Sequence, residues 1–187
     1  MPTRAGEDTR DRILDVAQEL FATKGYVGTS LRDIAEELGT TVAALYYYFH
    51  RKEELLSSLI EPMFTDIDAL LDNVVDLDPD ERPRRLLAGL LDAMLEHRPT
   101  LAAIAQDPSA LEQGGLGVRA RSQALRAIAL LAPGGDALAA MRARCAIAVL
   151  SGALDPRDRC TVTVATANRT AVVDAAIGAL RSGVSQD

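Results

Sequence analysis

Apolar side chains return every three or four residues through most of this chain, in short runs cut by Gly, Pro and Asp, a pattern that predicts separate amphipathic helices. The first runs from about Thr9 to Lys24, with Ile13, Val16, Ala17, Leu20 and Phe21 on one stripe and Gly25 as its stop. A second carries Leu31, Ile34, Ala35 and Leu38, with Ser30 or Thr29 as its cap, Asp33 at its positive end and Gly39 closing it. Thr41 is placed to cap a third, Val42 to Tyr48, whose Leu45 and Phe49 face inward against Ile34 and Leu38. A long fourth helix runs from Lys52 to about Val75, with Pro62 as the place where it bends.

The pattern continues downstream. Asp78-Pro79-Asp80-Glu81 reads as a helix start with proline in the first turn, leading into Leu86, Leu87, Leu90, Leu91, Met94 and Leu95. Breakers follow at Pro99, Pro108, Gly114, Gly115 and Gly117, with a short apolar helix from Leu101 to Ala105 between the first two. Further helices are expected over about Val118 to Leu131, from an Asp136 cap to about Leu154, and from about Asn168 to Arg181, with a loop at Asp155-Pro156. The alternating stretch from Cys160 to Thr166 is β-like, but a lone strand has no partner, so it is read as an extended loop. The expected fold is all-α, a three-helix N-terminal head followed by a helical C-terminal domain.

Helix, glycine turn and short helix is helix-turn-helix geometry, in which the second helix enters the major groove of DNA and the first crosses the backbone. An ordinary antiparallel helix pair gives the same pattern. Tyr46, Tyr47 and Tyr48, just before His50-Arg51-Lys52, favour the DNA reading: three adjacent hydroxyls cannot all be buried in an apolar core, and displayed beside cations they suit phosphate contacts.

At this point the run from about Thr9 to Leu56 resembles the N-terminal domain of the TetR family of bacterial transcriptional regulators. The resemblance rests on Arg12-Ile13-Leu14 through Phe21, Lys24-Gly25-Tyr26, Thr29 to Leu38, Ala44-Leu45-Tyr46-Tyr47-Tyr48-Phe49 and Lys52-Glu53-Glu54-Leu55-Leu56. It implies a helix-turn-helix DNA-binding domain over residues 1–52 and an effector-binding and dimerisation domain over 53–187. The implied DNA contacts are Ser30, Arg32, Thr41, Val42, Ala43, Tyr46, Tyr47, Tyr48 and Lys52, with Leu45 and Phe49 buried. Val42 and Ala43 stand where many members carry a polar or basic side chain, so base readout is expected to lean on methyl contacts and Arg32.

Charge complicates this picture. The chain of 187 residues has a formal net charge of −7, and residues 1–56 hold seven basic against ten acidic side chains, a net of −3. Specific placement of Arg32, Arg51 and Lys52 must therefore replace a broad basic surface, and a shallow salt dependence is expected. Hydrophobic residues make up 48% of the chain without a run long enough for a membrane span, and the start MPTRAGEDTRDR lacks the apolar stretch of a secretory signal, so a cytoplasmic protein is expected. Cys145 and Cys160 do not make a disulfide framework; they are read as inert thiols, with a redox switch as the alternative. His50 and His97 stand too far apart in sequence to suggest a metal cluster, and Gly114-Gly115-Leu116-Gly117 lacks the lysine and strand of a phosphate loop, so no cofactor is expected and no enzyme.

Helices apolar on every side need cover on every side. Ala139, Ala143, Ala146, Ile147 and Leu150 in one C-terminal helix, and Val172, Val173, Ala176, Ile177 and Leu180 in the last, are the expected dimer interface; burial within one chain is the alternative. The family resemblance also implies a small-molecule effector. Phe64, Ile67, Leu90, Met94, Leu101, Ile104, Leu125 and Met141 are the candidates to line its site, with His97 or Arg121 as polar anchor; plain core is the competing role for each. Aromatic residues are only 4% of the chain, which favours an aliphatic effector over a large aromatic one. The resulting expectation is a homodimeric repressor of a palindromic operator on double-stranded DNA, released by a small, mainly apolar molecule. A ligand-independent architectural protein and an activator are the alternatives.

Overall fold

A computed structural model describes residues 4–155 and 159–181, all its regular elements being helical. In chain order these are α1 (Arg4–Lys24), α2 (Leu31–Glu37), α3 (Val42–Tyr46), α4 (Lys52–Val74), α5 (Arg82–Glu96), α6 (Arg98–Gln106), a 3-10 segment (Pro108–Gly115), α7 (Leu116–Leu131), α8 (Ala137–Ala153), α9 (Arg159–Ala167) and α10 (Arg169–Arg181). They form two compact units. The first takes residues 1–62 and 98–117, and the second 63–97 and 118–187. Packing thus divides the chain elsewhere than at residue 52, because the opening of α4 and the whole of α6 pack with the N-terminal helices.

In the first unit Ile13, Ala17 and Phe21 of α1 share a core with Ile34 and Ala35 of α2, Leu45 of α3, Phe49, and Leu55, Leu56 and Ile60 of α4. α6 lies along α1. Its buried Thr100 accepts a hydrogen bond from Gln18 Nε2 at 2.9 Å and donates to the Leu59 carbonyl at 3.3 Å, tying α6 to both α1 and α4. Pro99, expected as a breaker, instead sits in the first turn of α6, where a missing N–H leaves nothing unsatisfied.

The second unit is built on Leu71 and Val74 of α4, Leu86, Leu87 and Leu91 of α5, and the inner faces of α8 and α10. At Gly89 of α5 the Leu70 side chain of α4 fills the space a Cβ would take, which would lie 2.4 Å from Leu70 Cδ1. Polar ties surround this core. Arg169 forks onto both carboxylate oxygens of Asp92, and Arg126 reaches Asp72 at 2.6 Å. Gln123 donates from the interior to the Phe64 carbonyl at 2.7 Å.

Two further expectations are overturned. α5 does not begin at Asp78-Pro79: the Asp78 carboxylate accepts from Asp80 N, its carbonyl accepts from Glu81 N and Arg82 N, and the helix starts at Arg82 with Pro83 in its first turn. Arg82 then closes the preceding helix by donating to the carbonyls of Val74, Val75 and Leu77. The stretch from Cys160 to Thr166, expected as an extended loop, is helical in α9. β-Branched residues favour a strand through cross-strand packing; without a neighbouring strand that preference has no object. Pro156 of the loop expected before it lies outside the described residues.

Candidate nucleic-acid interface

Each reading-head helix is set by its caps. Ser30 is the N-cap of α2 and forms a capping box: its side chain accepts from Asp33 N at 3.2 Å while Asp33 Oδ2 accepts from Ser30 N at 2.8 Å. The hydrogen bond from the Ser30 hydroxyl, then that from its backbone, holds the Asp33 carboxyl below its usual range. At the other end Gly39 adopts φ +64, so that its N–H reaches the Glu36 carbonyl and Thr40 N the Ala35 carbonyl, a paired closure that a residue with a side chain would strain. Thr41 caps α3 by accepting from Ala44 N at 3.2 Å. α3 is shorter than expected, ending at Tyr46, and the chain tightens as Tyr48 N reaches back three residues to the Leu45 carbonyl.

Leu45 and Phe49 are anchored in the core, and the opposite side of α3 is open. Tyr47 is 82% exposed and Tyr46 46%; Ala43 and Thr41 are exposed, and Val42 is half-buried. Tyr48 is also half-buried, its ring edge-on to Tyr47 with centroids 5.1 Å apart. Ser30 and Arg32 are exposed on α2. The short helix therefore presents a surface of methyl groups and phenols rather than of charge.

The cations are mostly engaged within the head. Arg32 Nε donates to Glu36 Oε1 at 2.9 Å, Arg51 pairs with Glu54 at 3.5 Å, and Lys24 with Asp33 at 3.9 Å. Lys52, expected at a DNA phosphate, is drawn inward. Its Nζ donates to the carbonyls of Tyr26 at 2.6 Å and Thr29 at 2.8 Å and stands 4.2 Å from the centre of the Tyr26 ring. Burial lowers its pKa first, against the pull of the nearby Glu53, Asp107 and Asp33 carboxylates. Burial, and then the Glu53 charge, push the Tyr26 phenol up to about 12. Lys52 therefore fastens the loop between α1 and α2, leaving one ammonium N–H for any outside acceptor.

Sequence reading missed a second fastening of this loop. Asp107 Oδ2 accepts from Val27 N at 2.8 Å, while Oδ1 takes the Ser109 hydroxyl at 2.6 Å. The Asp107-Pro108-Ser109 turn was its only local signal; its partner lies 80 residues away.

The ten candidate effector residues do not share one setting. Ile67, Leu90 and Met94 are half-buried against the second unit's core, and Phe64 is fully buried with the Arg119 guanidinium 5.1 Å above its ring. His97 Nε2 lies 2.6 Å from Asp66 Oδ2. Leu101 and Ile104, both half-buried, belong to the first unit, whereas Arg121, Leu125 and Met141 are exposed residues of the second. Of two clefts described, one is lined by Asp80, Glu81, Arg84, Arg85, Ile177 and Arg181, the other by head residues, and neither contains any of the ten.

The interface expectation needs correction. Ala143, Ala146, Leu150, Val173, Ala176 and Ile177 are buried within the chain's own core, because α8 and α10 pack on each other through these small faces. Ala139, Ile147, Val172 and Leu180 are partly buried around them. The large apolar side chains left outside on α8 are Leu138 and Met141, with Cys145 also exposed. Among the described residues no cluster of His, Cys, Asp or Glu is arranged to hold a metal ion, and no helix is long and apolar enough to cross a membrane.

Residues 13–59 match the sequence profile of bacterial regulatory proteins, tetR family. Over 86 residues the chain is 35% identical to the HTH-type transcriptional regulator EthR of Mycolicibacterium smegmatis, covering 46% of this chain and 40% of that protein. It is 43% identical over 65 residues to the icaADBC operon negative regulator IcaR of Staphylococcus epidermidis, covering 34% and 35%. In these alignments the chain spans less than half the length of the curated relatives. The crystal structure of a TetR-like transcriptional regulator from Rhodococcus sp. RHA1 superposes over 99% of both chains with a TM-score of 0.71 at 23% identity, a likeness of fold.

Proposed function

The chain belongs to the TetR family of bacterial regulatory proteins, and from that premise we propose that it is a DNA-binding transcriptional regulator in the cytoplasm, acting as a homodimeric repressor on a palindromic operator. The observation that carries the reading is the α2–α3 pair, capped at Ser30 and Thr41 and anchored by Leu45 and Phe49, with Tyr46 and Tyr47 displayed on its open side. A helix so held fits a major groove about 12 Å wide. Residues 1–52 are the proposed DNA-reading part and 53–187 the effector-binding and dimerising part. Two-fold pairing, through the outward Leu138 and Met141 side of α8, would set two reading helices about 34 Å apart.

Release is assigned to a small, mainly apolar effector of the 53–187 region, which must bind the released state more tightly than the DNA-bound one. α4 offers it a covalent route, since residues up to 62 belong to the head's unit and those from 63 to the other.

Footprinting on the DNA upstream of the chain's own gene, repeated with aliphatic metabolites, tests the proposal. One protected palindrome that an effector erases supports it; protection scattered over many unrelated sites would favour an architectural protein instead. Arg32→Ala and Tyr46→Phe should each weaken operator binding without unfolding the protein, since both side chains are exposed.

A further inference from the structure

We propose that Arg12, on α1, is a phosphate-contacting residue of the head, supplying from a cleft beside the reading helix an ionic contact that the motif itself largely lacks. The inference rests on the DNA-binding reading above. The cleft has a volume of about 290 Å³ and is lined by Thr9, Arg12 and Ile13 of α1, by Leu38, Gly39 and Thr40 of the turn, and by Ala44, Leu45 and Tyr48. Its lining joins the buried Ile13 and Leu45 to four polar residues, Arg12 with its guanidinium and Thr9, Thr40 and Tyr48 with their hydroxyls. Thr40 stands immediately before the cap of α3 and Tyr48 just after its end, so the cleft follows the length of the helix proposed to enter the groove. A DNA strand bordering that groove must pass one flank of α3, and cationic and hydroxyl donors on a flank are the groups that hold phosphates.

The charge arrangement singles out Arg12. Arg32, Arg51 and Lys24 are matched to carboxylates, Lys52 to two carbonyls, and Arg10 to Ser58 Oγ with its guanidinium 4.9 Å from the centre of the Phe49 ring. Among the described residues between 8 and 56, Arg12 is the one arginine or lysine side chain with no hydrogen bond, ion pair or ring contact, and it is exposed. Asp8, Asp11 and Asp15 of the same helix are exposed too, yet none of them lines the cleft. A phosphate there meets a guanidinium that need not give up an internal partner, and the planar fork can take two of its oxygens. The contact carries no base information; it fixes register and adds affinity to every sequence alike.

The test is the salt dependence of binding by the full chain to its mapped operator duplex and to an unrelated duplex. Arg12→Gln removes the charge but keeps an unbranched polar side chain of similar helix preference at an exposed position, so the thermal midpoint should stay unchanged. Its expected effect is a weakening of several-fold or more at low salt on both duplexes, with the log–log slope falling by about 1 for each bound head. Arg12→Lys should restore the slope. If the wild type binds and Arg12→Gln leaves affinity and slope unaltered, this assignment is overturned while the DNA-binding reading stands. A wild type that binds no duplex overturns both.

Discussion

The reading head and the α8–α10 pair bury their side chains in opposite ways. In the head the bulkiest apolar groups are inside: Phe21, Ile34 and Leu45 are wholly buried and Phe49 is 2% exposed. In α8 the small side chains Ala143 and Ala146 are wholly buried along with Leu150, while Leu138 stays 49% and Met141 53% exposed. The head is a short-helix core that large side chains must fill. α8 and α10 instead set small side chains, Ala143, Ala146 and Ala176, among Leu150, Val173 and Ile177 on their buried faces, so that two backbones come close, while Leu138 and Met141 stay exposed. An apolar residue can therefore be inside to fill space or outside because space was denied to it.

The largest expected effect lies in the head. Phe49→Ala removes a ring that closes the core behind α3 and should cost about 3–5 kcal/mol, read from the urea midpoint of unfolding. A loss under about 1 kcal/mol would mean the site collapses without it, and the contrast between a filled core and a close-approach core would fail. Ala146→Leu tests the other side. It inserts bulk into the α8–α10 contact and should cost about 1–3 kcal/mol, whereas Ala129→Leu on the exposed side of α7 should stay within about 0.5 kcal/mol. Equal effects at the two alanines would remove close approach as the reason small residues are there.

The same contrast explains what could be read from the chain. Caps are local chemistry, so Ser30, Thr41 and Asp136 announced their helices, and each accepts the expected hydrogen bond from the backbone three residues on. The one-sided stripes of α1 and α2 likewise pointed Ile13, Phe21, Ile34 and Ala35 to the core. α8 is apolar nearly all round, and such a pattern carries no direction; that is why residues assigned to a partner turned out to pack on α10. Asp78 misled through its own turn chemistry, and the residues from Cys160 to Thr166 through a strand preference that depends on neighbours. The fastening of the α1–α2 loop by Lys52 and Asp107 was illegible for another reason: each bond joins groups 23 to 80 residues apart, and nothing local to Tyr26, Val27 or Thr29 announces a partner. The candidate interface was thus legible in its backbone frame and its displayed tyrosines, but not in which of its cations remain available.

The smallest effect on the protomer itself is expected at the outward residues of α8, and it sharpens the comparison most. Leu138→Ser combined with Met141→Ser changes side chains that are half in solvent within the chain, so folding of one protomer should shift by only about 0.5 kcal/mol per site. If this side is covered by a second copy, the consequence appears elsewhere. A dimer that is favoured only when folded gives a wild-type unfolding midpoint that rises with protein concentration. The double variant should lose that dependence and sediment as a monomer, with its helical signal intact. A variant that keeps the wild-type mass and concentration dependence would place the pairing surface away from Leu138 and Met141, leaving their exposure as the plain cost of letting Ala143 and Ala146 face α10.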